Sequence, residues 1–375
     1  MEFSFTEDQL ALREQLSRIL GEDIGTTEAR AVLDGSAAYS QRTWRALADM
    51  GVLGIGFDEE VGGLGLGPMF TCVTMQELGR VNAAVPYVSS LIIVAEAISR
   101  AGDSQQRDTL LPALLTGDRI ATWAVAEGRL PEQGTDLTVR HGSNGVNGIK
   151  TPVVDAGIAD EFLVLASDDA GETKLGLVSA KDPGVSIEPL NSIDPSRPIS
   201  RVTFSNATFE PLDGDGFRVW SDVLNSAAIF CAWEQIGGAE AILEMARNYV
   251  MERQAFGRSV ASYQAVKHRL ADMFVKIAMA RANALYAAKT MEAGQGDLTI
   301  AAATARISAS EAFSYCAREG LHLHGGLGVT WEGDPNLYYR RARFCDLQFE
   351  TRRWTGSLVD ALAAQRKKEL ADVAI

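Results

Sequence analysis

Over most of this chain apolar residues return every three or four positions, the period of a helix with one buried face. The longest such stretch lies in the second half. Ile236, Ala239, Leu243, Ala246 and Val250 share one face, and after a short connection Val266, Leu270, Met273, Ile277, Ala280 and Ala284 share another. The second run predicts a helix of about 30 residues, roughly 45 Å long at 1.5 Å per residue, with Ser262 as its N-cap. Helices of that length pack side by side in a bundle.

The N-terminal part is also helical. Thr6-Glu7-Asp8-Gln9 has the form of a capping box, and Leu10, Arg13, Leu16 and Leu20 mark the faces of the helix it opens. Ser40 is placed to cap another helix, with Trp44, Leu47 and Ala48 inward and Gly51 ending it. Further helical periods cover 70–78, 89–100 and 105–115. Residues 59–67 hold four glycines. They lack the Lys-Ser/Thr of a phosphate loop and follow no strand, so they predict a connector.

At Ile120 the period shortens. Residues 120–126, 161–166, 174–179, 185–190 and 199–204 are β-rich and bounded by turn residues, with Asn144-Gly145 and Asn147-Gly148 as turn dipeptides. From Phe217 the helical period returns. It breaks at 294–297, resumes through Ile307 and Phe313, stops at 322–328 and reopens at Asp334-Pro335. The tail from Leu362 reads as a surface or frayed helix. The fold class is therefore mainly α with a small β-domain. An N-terminal helical domain (1–118) and a middle antiparallel β-barrel or sandwich (119–212) precede a C-terminal four-helix bundle (217–375).

Composition narrows the function. A net charge of −14 over 375 residues argues against a nucleic-acid partner. Cys72, Cys231, Cys316 and Cys345 are spaced neither as a metal site nor as a redox pair, and scattered cysteines suit a reducing cytoplasm. Met1-Glu2-Phe3-Ser4-Phe5 lacks a basic-then-apolar signal, and no apolar run approaches the roughly 20 residues of a membrane span. His322 and His324, two apart, do not share a helix face, which argues against a metal pair. The connection between the long helices carries the candidate chemistry. Arg253 and Arg258 bracket Phe256-Gly257, a set that suits a flat-ringed, phosphate-bearing ligand. A solvated helix end with Phe256 tucked into the core is the alternative reading of the same residues.

The string Arg253-Gln254-Ala255-Phe256-Gly257-Arg258, followed by Tyr263-Gln264-Ala265-Val266-Lys267-His268-Arg269-Leu270-Ala271-Asp272-Met273, resembles the acyl-CoA dehydrogenase family. The resemblance extends to Glu60-Val61-Gly62-Gly63-Leu64-Gly65, to Glu77-Leu78-Gly79-Arg80 and to the helical, β, helical order. It implies FAD as cofactor, an acyl-CoA substrate, and assembly as a homo- or hetero-oligomer with another subunit of the family. An electron-transfer flavoprotein is an implied redox partner. By the same resemblance, Arg253, Phe256, Gly257 and Gln264 contact the adenine-diphosphate end of FAD. His322 stands where the family commonly has Gln, and the Gly325-Gly326 turn completes the site from a neighbouring subunit. Val125 and Thr135 fall at the flavin-ring end.

Several positions depart from the family. Ala126 replaces a Thr, and the loop after it is longer. Pro152, Val153 and Val154 stand where an aromatic, an aliphatic and a Thr pack on the ring. The glutamate of the family's Tyr-Glu-Gly-Thr falls on Phe349, with Glu350 next to it as the candidate catalytic base. The alternative base position of some relatives is Ala227, followed by Ala228, with Glu234 two turns on. The segments 323–332 and 337–343 resemble a branch of the family that forms heteromeric assemblies of an active subunit and a degenerate relative. The resemblance thus leaves open an FAD-dependent acyl-CoA dehydrogenase acting α,β on a thioester, a non-catalytic or half-site subunit, and, third, a flavin monooxygenase on the same fold.

Overall fold

The structure, a computed structural model, describes residues 5–373, apart from the side chains of 22–24 and 368–373. Met1–Ser4, on which the absence of a signal was read, and the last two residues of the tail lie outside it.

The reciprocal box at the first helix forms as expected. The Gln9 N–H donates to the Thr6 hydroxyl (3.3 Å) and the Thr6 N–H to the Gln9 side chain (3.1 Å), opening α1 (Glu7–Arg18). A π-type turn at Ile19–Ile24 and α2 (Thr27–Leu33) follow. Ser40 precedes α3 (Gln41–Asp49), but its hydroxyl makes no capping bond, against expectation. Gly51 ends that helix in the left-handed region, φ 70°. Then come α4 (Pro68–Arg80), a π-type segment Val88–Ala95, α5 (Glu96–Ala101) and α6 (Ser104–Leu115).

The β region is a single eight-stranded sheet of β1 (Ala121–Ala124), β2 (Arg140–Gly142), β3 (Gly145–Val154), β4 (Glu161–Ser167), β5 (Thr173–Ser179), β6 (Val185–Leu190), β7 (Ile199–Ala207) and β8 (Glu210–Pro211). Its order is β6-β7-β3-β2-β4-β5-β8, with β1 beside β4. Hairpin signals implied antiparallel pairing throughout. Two pairings are parallel instead, β1 with β4 and β2 with β4, so the sheet is mixed. Its buried face holds Ala124, Val146, Val153, Val164 and Val202, with Phe162 edge-on to Phe204 at 6.1 Å.

The C-terminal helices are α7 (Gly216–Glu252), α8 (Gln264–Ala293), α9 (Leu298–Leu323), α10 (Gly326–Val329), α11 (Asp334–Gln348) and α12 (Thr351–Val373). A two-residue hairpin, β9 (Gln254–Ala255) and β10 (Arg258–Ser259), joins α7 to α8. The length of α8, 30 residues, is that read from its period. Its cap is not: Tyr263 occupies the N-cap position, and the Ser262 hydroxyl donates to the Ser259 carbonyl (2.6 Å).

The polypeptide divides into two compact units, one of residues 27–67 and 83–227, the other of 5–26, 68–82 and 228–373. The first is built on the sheet. In the second, α4 crosses α7 at closest approach through two glycines. A Cβ on Gly79 would lie 1.9 Å from the Glu234 carbonyl oxygen, and one on Gly237 1.9 Å from that of Gln76. No larger residue fits either position. Arg341, buried, donates to Glu234 (3.3 Å) and to the Asn82 carbonyl (3.4 Å), tying α11 to the same crossing.

Candidate functional site

The hairpin after α7 is held by the helix it leaves. The Ser259 hydroxyl donates to the Val250 and Met251 carbonyls (3.0 Å each), acceptors that a helix end leaves unpaired. The Val260 N–H donates to the Arg253 carbonyl (2.8 Å), and the Tyr263 hydroxyl to that of Ala255 (3.0 Å). Phe256 and Gly257 at the tip both have positive φ, 52° and 79°. That is the requirement of a tight I′-type hairpin turn, normally met by Asn-Gly. Phe256 is 96% exposed, so the reading that tucked it into the core is wrong. A two-residue loop whose strands face the helix end leaves the ring nowhere inward to go.

The two arginines differ. The Arg258 guanidinium stacks 3.8 Å over the Tyr263 ring. Among the described residues the exposed Arg253 guanidinium meets no acceptor, so it is the cation left for an anionic ligand. Gln264, the first residue of α8, is exposed as well.

The glycine turn lies beside this hairpin in the same chain. Tyr249, one turn before Arg253, stacks on His324, which immediately precedes Gly325 (ring centroids 4.6 Å, interplanar angle 26°). Within one chain the stack sets the end of α7 against the residue that precedes the glycine turn. His324 is buried, its Nδ1 2.7 Å from the Gly320 carbonyl, and burial pushes its pKa below the usual histidine range. His322 is exposed and 3.8 Å from Glu319, a carboxylate that also pairs with Arg318 (3.2 Å) and Arg269. Gly325 has φ 60°, and a Cβ on Gly325 or Gly326 would meet nothing within 4 Å. Open space over two glycine amides is what a diphosphate needs.

The expected ring-end residues belong to the other unit. Val125 and Ala126 are buried; Thr135 is exposed on a single turn, Gly134–Asp136, where the Asp136 carboxylate accepts the Glu132 and Gln133 N–H groups (3.0 Å each). Pro152 is exposed, while Val153 and Val154 are buried and offer methyl groups alone. The loop is clamped by a pair that sequence reasoning passed over. Lys150, wholly buried, donates to Glu127 (2.7 Å) and to the Val125 carbonyl (3.1 Å). Glu127 also accepts the Thr138 N–H (2.7 Å), its hydroxyl, and the Val139 N–H (3.1 Å). Burial brings the Lys150 pKa down to about 8, the Glu127 charge opposing it. Just after β3, buried Asp155 accepts from Ser89 (2.5 Å) and Arg197 (3.2 Å). The signal for both networks was the charged residue inside an otherwise apolar run.

The candidate base sits at a break. Phe349 ends α11, fully buried, with the Arg306 guanidinium 5.6 Å from its ring. Glu350 is half-buried with φ 46°, and the Arg353 N–H donates to its carbonyl (2.8 Å). Because the helix stops here, a one-residue shift along a continuous helix does not describe Glu350. Glu350 holds a left-handed conformation, which favours glycine, the residue that follows the glutamate in Tyr-Glu-Gly-Thr. Ala227 and Ala228 are buried methyls, and Glu234 is bound to Arg341. The four cysteines are buried free thiols. Among the described residues no three His, Cys, Asp or Glu side chains group as metal ligands, and no helix is long and apolar enough to cross a membrane.

Comparison with known proteins gives matches to two family models, the acyl-CoA dehydrogenase N-terminal domain over residues 6–118 and the C-terminal domain over 214–347. The chain is similar to acyl-CoA dehydrogenase IpdE2 of Mycobacterium tuberculosis, 32% identical over 339 residues, 90% of this chain and 91% of the relative. It is 30% identical to acyl-CoA dehydrogenase FadE27 of the same organism over 92% of this chain and 93% of that one. Among solved structures, the ChsE4-ChsE5 complex from M. tuberculosis superposes with a TM-score of 0.85 at 28% identity, covering 99% of both chains.

Proposed function

This chain belongs to the acyl-CoA dehydrogenase family of FAD-dependent oxidoreductases, and from that we propose that it works in the α,β-dehydrogenation of an acyl-CoA thioester by supplying the adenosine-diphosphate half of an FAD site. The flavin, when bound, accepts the hydride from the β-carbon. The residues of this chain bind and orient. Arg253 offers an unshared guanidinium to the diphosphate, Gly325 and Gly326 offer backbone that a phosphate can approach, and Phe256 offers a flat exposed face to adenine. Gln264 and His322 stand at the edge as donors.

One observation carries the half-site reading. The side chains of Arg253, Phe256 and Gln264 are exposed, whereas at the ring end Pro152 stands where the family has an aromatic and buried Val154 offers methyls in place of the Thr hydroxyl. The base position supports it, since buried Phe349 cannot remove a proton and the α-proton must go to a carboxylate elsewhere. A heteromeric partner of the same family with an intact ring pocket and base fits these gaps. The relative named as a complex of two different subunits is a precedent for such an arrangement.

The test is purification alone and together with a co-encoded member of the family. The reading expects a colourless single chain, and a yellow pair that reduces an electron acceptor with acyl-CoA. A single chain that is yellow and active refutes it.

A further inference from the structure

Helix α1 sets a largely polar face against the end of α4, and a cleft of about 910 Å³ opens there. Leu10, Arg13, Glu14, Ser17 and Gly21 recur every three or four residues on that face, with Arg18 beside Ser17. Arg80, the last residue of α4, forms the opposite wall. Three guanidiniums thus line one cleft of a chain whose net charge is −14. A single buried carboxylate orients two of them. Glu77 accepts from the Arg80 Nε at 2.6 Å, and its other oxygen lies 3.4 Å from the Arg13 Nε. The Arg80 Nη2 also donates to the Ser17 carbonyl (3.0 Å). Arg18 is exposed and, among the described residues, meets no acceptor. A Cβ on Gly21 would lie 3.2 Å from the Arg80 Nη2, so the glycine leaves that guanidinium open to the cleft.

Like charges gathered this closely repel, and Glu14 with Glu77 leaves the three arginines in excess. An anion in the cleft relieves that repulsion. The guanidinium fork matches phosphate oxygens, so phosphate is the anion these side chains fit. The cleft is far larger than a bare phosphate and lies in the range of small-molecule sites. Its lining holds no aromatic ring on which a nucleobase could stack. Gln15, Ser17 and Glu14 offer an amide, a hydroxyl and a carboxylate, which are partners for hydroxyl groups. We propose that the cleft binds a phosphorylated polyol, a sugar phosphate or glycerol phosphate, with its phosphate on Arg13, Arg18 and Arg80. None of these residues belongs to the flavin site, so the proposal does not depend on the half-site reading.

The experiment titrates glucose 6-phosphate into the full chain by calorimetry at constant ionic strength, with glucose and inorganic phosphate as separate arms. Wild type and Arg253→Ala are run side by side, so that binding at the flavin residues is told apart. One saturable site for glucose 6-phosphate is expected in both, with inorganic phosphate clearly weaker and glucose not binding. Arg18→Gln is expected to weaken the sugar phosphate by about tenfold or more, and Arg18→Lys, which keeps the charge, by less. Arg18 is exposed and holds no other side chain, so both variants should keep the circular dichroism and melting temperature of the wild type. Absence of saturable binding overturns the proposal, as does an Arg18→Gln variant that titrates like the wild type. Inorganic phosphate binding as tightly as glucose 6-phosphate overturns it too, because the cleft then reads a bare anion. Binding lost in Arg253→Ala but kept in Arg18→Gln places the sugar phosphate at the flavin residues and also overturns it.

Discussion

Tyr249 and His324 lie face to face, 4.6 Å between centroids, and this contact joins the end of α7 to the glycine turn after α9. It brings together two segments far apart in sequence, the end of α7 that leads to Arg253 and the end of α9 that leads to Gly325. The stack needs a neutral, buried imidazole. Because the folded pKa of His324 is depressed, its contribution is present above the ordinary value near 6.5 and is lost as pH falls through the folded value. The melting temperature of the wild type is therefore expected to drop more between neutral and mildly acid pH than that of His324→Phe, which keeps the stack without the titration. Parallel pH profiles would deny His324 this role.

Phe256 holds a left-handed conformation with no packing in return. Phe256→Asn relieves that conformation and is expected to stabilise the isolated chain by about 1 kcal/mol in denaturant titrations. The same change should lower flavin retention by the assembled enzyme. A residue whose replacement stabilises and impairs at once is kept for binding; if flavin retention is untouched, Phe256 does not meet the cofactor.

Lys150 and Glu127 hold the loop between β1 and β2. Lys150→Met strands Glu127 without its counter-charge, and a cost of about 3–5 kcal/mol is expected. The double change with Glu127→Gln should recover part of it. Additive losses in that cycle would show that the two side chains do not act as a pair.

Glu350→Gly tests both the register and the base. Glycine is relaxed at φ 46°, so the variant should be about 1 kcal/mol more stable, with turnover of the assembled enzyme unchanged. A turnover loss of tenfold or more would make Glu350 the base after all.

The sequence made the helical, β, helical order legible because each part has its own period, and the Thr6-Gln9 box and the 30-residue α8 followed from local chemistry. Ser262 failed as a cap because the hairpin's own hydrogen bonds took its hydroxyl. The parallel pairings of β4 join strands distant in sequence, which no turn dipeptide reports. In the site, Arg253 and Gly325 were legible as residue types. The meeting of their segments was not, because it depends on Tyr249 reaching His324 across 75 residues of chain.

On the half-site proposal, this chain holds the diphosphate of a flavin whose ring sits elsewhere. The direct measurement is the affinity of the assembled pair for FAD, by flavin fluorescence, with and without Arg253→Ala in this chain. Loss of a charge-assisted contact predicts binding weaker by roughly 10- to 100-fold with the pair intact. Undiminished affinity, or stoichiometric FAD bound by this chain alone, would contradict it.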